Sequence, residues 1–302
     1  MADKKGQKCY ICLEAVYPRT GEGLVRGCAC GDRDGVSSPE LGVVHVSCLA
    51  EQAKILFAEA EEHNLGVKAR YEGFQRWDSC SLCEQKYHGV VYHALGWACW
   101  KTYVGRPEGD QIRRMPMGQI GRGLSAASHH TDASTVQEAQ LSMLRRIGGS
   151  EEILAVQANL AITYQSLGRL EQTLSLLRDV YLGYVKLYGE EHKNALISAN
   201  NYAASIFALQ RFQEAKSLLG KIIPVARRVL GGSDPTTLRM RLNCGWALYI
   251  DVGATLSNLR EAVTTLEDTE RTARHVLGNS HPTVEAVGMH LQNERASLCT
   301  RM

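Results

Sequence analysis

Seven cysteines and one histidine within the first 83 residues fall into short-spaced pairs: Cys9-x2-Cys12, Cys28-x-Cys30, His45-x2-Cys48 and Cys80-x2-Cys83. A tight Cys-x2-Cys turn presents two thiolates on one side, and tetrahedral zinc takes four sulfur or imidazole donors. Two pairs close one site, so eight donors make two closed sites with no open coordination position. Zinc held in this way is structural and does not activate water. Two structural zinc ions are therefore the expected cofactors, and hydrolytic zinc chemistry is not expected.

The rest of the chain must carry these pairs. Its 302 residues are 44% hydrophobic and 22% charged, enough for real cores, and the net charge of +2 gives no reason to expect a nucleic-acid partner. The longest apolar stretch, 89–100, is interrupted by Tyr92 and His93 and is too short to span a bilayer, so no membrane span is expected. MADKKGQKCYICLE has charge but no apolar run behind it, which reads as no secretory signal. The cysteines are thus placed in a reducing compartment, cytoplasmic with the nucleus possible.

The order of four cysteines, one histidine and three cysteines, with the strings Cys9-Tyr-Ile-Cys-Leu13, Gly27-Cys-Ala-Cys-Gly31, Val44-His-Val-Ser-Cys-Leu49 and Cys80-Ser-Leu-Cys83, resembles the RING-CH (RINGv) zinc finger over residues 9–87. The resemblance implies a cross-brace: Cys9, Cys12, His45 and Cys48 on one zinc, and Cys28, Cys30, Cys80 and Cys83 on the other. It also implies recruitment of a ubiquitin-conjugating enzyme through apolar contacts, here Ile11 and, after Cys48, Leu49. Two positions depart from the pattern, since Gln52 stands near the usual tryptophan and Glu84-Gln85 follow the last ligand. A PHD finger shares the ligand order, but Trp77 stands three residues before Cys80, where that family usually has two.

From Leu49 to His63, Leu49, Ala53, Leu56, Phe57 and Ala60 recur at spacings of three and four, which predicts an amphipathic helix. The aromatic run 87–103 reads as a helix packed on the finger, with Cys99 as a small core residue. Residues 105–130, rich in Gly and Arg with Pro107 and Pro116, read as a connection.

Beyond it the chain repeats. Ala-Asn159-Leu-Ala, Asn-Asn201-Tyr-Ala and Leu-Asn243-Cys-Gly recur every 42 residues, while Tyr188-Gly, Leu230-Gly and Leu277-Gly are 42 and then 47 apart. Apolar positions such as Ile153, Val156, Leu160 and Tyr164, then Leu170, Leu174, Leu177 and Tyr181, have helical spacing, with a break at Gly168. Each unit is a helical hairpin, and stacked hairpins make a solenoid. These units resemble the tetratricopeptide repeats of kinesin light chains. That resemblance implies a concave groove in which Asn159, Asn201 and Asn243 hold a bound peptide backbone. Arg239, one turn before Asn243, would favour an acidic ligand there. Alternatively, these amides bond between neighbouring repeats.

The expected fold is mainly α: a small, loop-rich α+β cross-brace finger with an inserted helix (1–87), a packing helix and linker (88–130), and an all-α solenoid of about three repeats plus capping helices (131–302). The expected function is a soluble RING-type ubiquitin ligase whose finger recruits a conjugating enzyme and whose repeats bind a protein or peptide. A non-catalytic zinc-finger and repeat adaptor is the alternative, motivated by Gln52 and Glu84, with a PHD-like histone reader behind it.

Overall fold

The computed structural model describes residues 7–28, 43–63, 65–250, 254–278 and 282–301. The chain divides into two compact units, Met1–Gly148 and Gly149–Met302.

In the first unit two short strands, β1 (Val25–Arg26) and β2 (Val43–Val44), pair antiparallel with Val25 opposite Val44. β2 runs directly into α1 (Val46–Glu62), which buries Leu49, Ala53, Phe57 and Ala60 at helical spacing. α2 (Val67–Gln75) packs on α1. α3 (Gly89–Tyr103) then closes the core, burying Val91, Leu95, Cys99 and Tyr103. Phe57, Phe74, Trp77 and Tyr103 meet there mostly edge to face, the arrangement that aligns ring edges with electron-rich faces. Arg106 covers this cluster, lying over the rings of Phe57 and Tyr103 and pairing with Glu61 and Asp110. The expected packing helix is thus α3, and Cys99 is a core residue whose thiol burial pushes up.

The stretch read as a connection differs. Most of it is α4 (Gln111–Ala126), whose first turn is capped by Asp110 accepting from the Ile112 N–H at 2.8 Å, and it is followed by α5 (His130–Ile147). Its glycines stand where helices approach closely. A Cβ on Gly121 would lie 2.9 Å from Gln137 Cγ, and one on Gly123 would lie 3.1 Å from the His93 Cα. Glycines that read as part of a connection are instead what lets α4 sit against α3 and α5.

The second unit is a run of antiparallel helix pairs: α6 (Ser150–Ser166) with α7 (Leu170–Tyr188), α8 (Lys193–Ala208) with α9 (Phe212–Val229), and α10 (Pro235–Ile250) with α11 (Leu256–Leu277). α12 (Pro282–Arg301) packs on α11 and α10 in the place of a further first helix. Consecutive pairs stack through α7 on α8 and α9 on α10, each burying a face its neighbour exposes. The second helices end at Gly189, Gly231 and Gly278, all with positive φ, which is why glycine recurs there.

Candidate metal centre and repeat groove

Two turns of identical construction carry the outer cysteine pairs. In the first, the Ile11 N–H points to Cys9 Sγ at 3.4 Å, the Leu13 N–H donates to the Cys9 carbonyl, the Cys9 N–H donates to Glu14, and Leu13 takes a left-handed φ of 63°. In the second, Leu82, Cys80, Gln85 and Glu84 make the same bonds, with 3.4 Å from the Leu82 nitrogen to Cys80 Sγ and a φ of 59° at Glu84. Backbone N–H groups aimed at sulfur favour the thiolate, the form that binds metal.

The strand pair sets the third donor group. β2 delivers His45 to the start of α1, and Glu22 from the preceding loop accepts from the Val46 N–H at 2.5 Å and from the Ser47 N–H at 3.3 Å. His45 makes no side-chain cap bond of its own, so its ring is free for other duty. Glu22 does the capping from 24 residues away, a role no local pattern in the sequence could show. The His45 ring packs on Tyr17 and is wholly buried.

These elements bring Cys9, Cys12, His45 and Cys48 together, with one donor atom from each lying within 4.8 Å of the others. His45 Nδ1 is 3.4 Å from Cys12 Sγ and 3.6 Å from Cys48 Sγ. A tetrahedron with zinc–sulfur bonds of about 2.3 Å and zinc–nitrogen bonds of about 2.0 Å has a sulfur–nitrogen edge of about 3.5 Å. The thiols of this cluster differ in their electrostatics. Burial pushes the Cys9 thiol up, but N–H groups of Cys12, His45 and Ile11 outweigh it and its pKa falls below the ordinary value. Burial and the neighbouring sulfurs of Cys12 and Cys9 push Cys48 up. Three thiols this close cannot all ionise unless a positive charge joins them.

Cys28, Cys80 and Cys83 form a second buried group within the same distance. Their expected fourth partner, Cys30, lies outside the described residues. The first and third pairs thus cluster together, and Cys28 clusters with the fourth pair. His93, which follows the second group in sequence, accepts from the Trp97 indole N–H at 3.1 Å.

Beside the first centre, Ile11, Tyr17, Glu51, Gln52, Ile55 and Leu56 line an open groove of about 390 Å³. Ile11 therefore lies on the wall of this groove. Leu49 does not: it is 1% exposed in the core, because the first turn of α1 faces inward. The outward positions are Ile55 and Leu56, on the next turns.

In the second unit Asn159, Asn201 and Asn243 are half-buried on first helices α6, α8 and α10. Asn243 is committed to a neighbour, its Nδ2 donating to Asn200 Oδ1 on α8 at 3.3 Å. Arg239 is exposed; the buried cation of α10 is Arg241, which pairs with Asp268 of α11.

Residues 153–193 match the tetratricopeptide repeat family. Two crystal structures of a Podosopora anserina protein provisionally assigned as a kinesin light chain with nearly identical TPR-like repeats resemble the chain. The first, of a point variant, has a TM-score of 0.52 at 19% identity, and the second a TM-score of 0.53 at 18% identity. Each alignment covers 76% of this chain and 97% of the other. The likeness is one of fold. No curated protein matches the chain in sequence. Among the described residues, no helix is long and apolar enough to cross a membrane.

Proposed function

We propose that the first unit binds two zinc ions and acts as a RING-type ubiquitin ligase module, and that the repeats of the second unit hold the protein or peptide to be modified. One observation carries the ligase reading: an exposed apolar groove, Ile11 to Ile55 and Leu56, borders the first Cys/His centre. In a RING-type enzyme the conjugating enzyme carries the thioester, and the finger binds and orients it. Such a module needs a rigid apolar docking edge and no nucleophile. Here the Cys9 turn fixes one side of that edge and α1 the other, and zinc bound by Cys9, Cys12, His45 and Cys48 would tie the two sides together. The expected fourth donor of the second ion is Cys30.

The adaptor reading draws on Glu84 and Gln52. Gln52 places an amide in the groove where the family pattern has an apolar ring, and Glu84 stands where a basic residue is usual. Ubiquitin transfer decides between the two. Purified, zinc-quantified full chain is assayed for chain formation against a panel of conjugating enzymes, beside Ile11→Ala and Ile55→Ala. Transfer lost in both variants while zinc content is unchanged supports the ligase. No transfer with any conjugating enzyme at full zinc content leaves the finger as a binding module.

A further inference from the structure

We propose that α4–α5 is a fourth, divergent repeat hairpin whose inward amide, Gln119, is a positioning residue for the second cysteine centre. The first part rests on backbone geometry alone. Between α4 and α5 the chain passes through Ala127, Ser128 and His129; between α6 and α7 it passes through Leu167, Gly168 and Arg169; between α8 and α9 it passes through Leu209, Gln210 and Arg211. The middle residue has a positive φ in each, 63°, 73° and 58°. The third has φ and ψ of −84° and 60°, −82° and 60°, and −88° and 58°. Its N–H returns to the same place in each first helix: His129 to Leu124, Arg169 to Tyr164, Arg211 to Ile206. α5 then ends at Gly148 with φ 84°, as α7 ends at Gly189 with φ 88°.

Aligned on these turns, Gln119 takes the place of Asn159 and Asn201. In a tetratricopeptide groove that amide is expected to hold a ligand's main chain, and in α4 the main chain it holds is the protein's own. Gln119 is 3% exposed, and its Nε2 donates to the Trp77 carbonyl at 2.6 Å and lies 3.5 Å from that of Tyr92. Gly96 makes the approach possible, since a Cβ there would stand 3.2 Å from Gln119 Cγ. Trp77 lies three residues before Cys80, and from it the turn is fixed by Tyr87 N–H to the Asp78 carbonyl and Cys80 N–H to the Gln85 carbonyl. The inward position of the divergent repeat thus anchors the segment from which Cys80 and Cys83 hang.

The metal half of this inference rests on the zinc reading above. Full-length chain loaded with two zinc ions is mixed with a chromogenic chelator, and the release of each ion is timed. Gln119→Met, close in volume but without a donor, is expected to speed the release of one ion by about 10-fold and leave the other unchanged, the scale found when a partner supporting a metal ligand is lost. Val136→Ala loosens the same hairpin without touching Gln119 and is expected to alter neither rate beyond what its melting temperature explains. If Gln119→Met does not fold, Gln119→Asn, whose amide is too short to reach Trp77, takes the same test. Release of both ions at wild-type rates, or an effect no larger than that of Val136→Ala, overturns the positioning role. Wild-type chain that binds fewer than two ions overturns the zinc reading instead.

Discussion

Gly27 and Val91 meet so closely that a Cβ on Gly27 would stand 2.5 Å from the Cβ of Val91. No real side chains approach to that distance, so the residue before Cys28 has to be glycine if α3 is to lie against the finger. The Gly27 carbonyl also accepts from the His88 N–H at 3.0 Å, fixing the start of α3 at the same point. Gly27→Ala is therefore expected to destabilise the first unit by about 1–3 kcal/mol, the usual cost of overpacking. Urea unfolding followed by the fluorescence of Trp97 and Trp100 measures it. Adding Val91→Ala is expected to restore part of the loss, because the two sites share one contact. A double variant as unstable as the sum of the singles would disprove the contact.

Asn243 donates to Asn200, and Asn200 is 3% exposed. Removing the donor leaves a buried amide oxygen without that bond, at a cost of about 1–3 kcal/mol. Asn243→Ala is thus expected to lower the urea midpoint of the second unit in the absence of any ligand. An unchanged midpoint would show that the amide is free to serve a bound peptide after all.

His290 of α12 lies 4.5 Å from the Trp246 ring of α10, and its Nδ1 is 3.4 Å from the Tyr249 hydroxyl. Burial lowers its pKa below the ordinary 6.5. The unfolded chain then takes up a proton at a pH where the folded chain does not. The stability contributed by neutral His290 is present above about pH 6.5 and is lost as pH falls below it. The second unit is expected to lose stability as pH falls through about 6.5, and His290→Gln is expected to flatten that dependence. Equal slopes in the two proteins would contradict it.

Much of this architecture was legible in the residues, for identifiable reasons. Cys-x2-Cys turns are local, so Cys9, Cys12, Cys80 and Cys83 announce themselves by spacing, and the repeat joints at Gly168, Gly189, Gly231 and Gly278 do so because each needs a positive φ. Leu49 could not be placed from spacing, since only the direction of the first turn of α1 decides that it faces the core and Leu56 the groove. α4 was hidden because glycine lowers helix propensity, yet at 121 and 123 it serves close helix approach, which only the folded neighbours Gln137 and His93 make visible. Asn243 shows the same limit from the other side. Its type and period point equally to a ligand and to the next repeat, and the choice between them lies in Asn200, on another helix.

The function proposed for the first unit rests on two metal ions held by interleaved pairs, so the number of ions is the measurement to make. Native mass spectrometry of the purified full chain counts them directly, with Cys83→Ser, Cys48→Ser and the chelated protein alongside. Two zinc ions per chain are expected. Loss of zinc and of the cooperative first-unit melt on chelation is expected as well, because metal binding supplies much of the folding free energy of such a module. A chain that carries no zinc and keeps its first-unit melt after chelation would contradict the account.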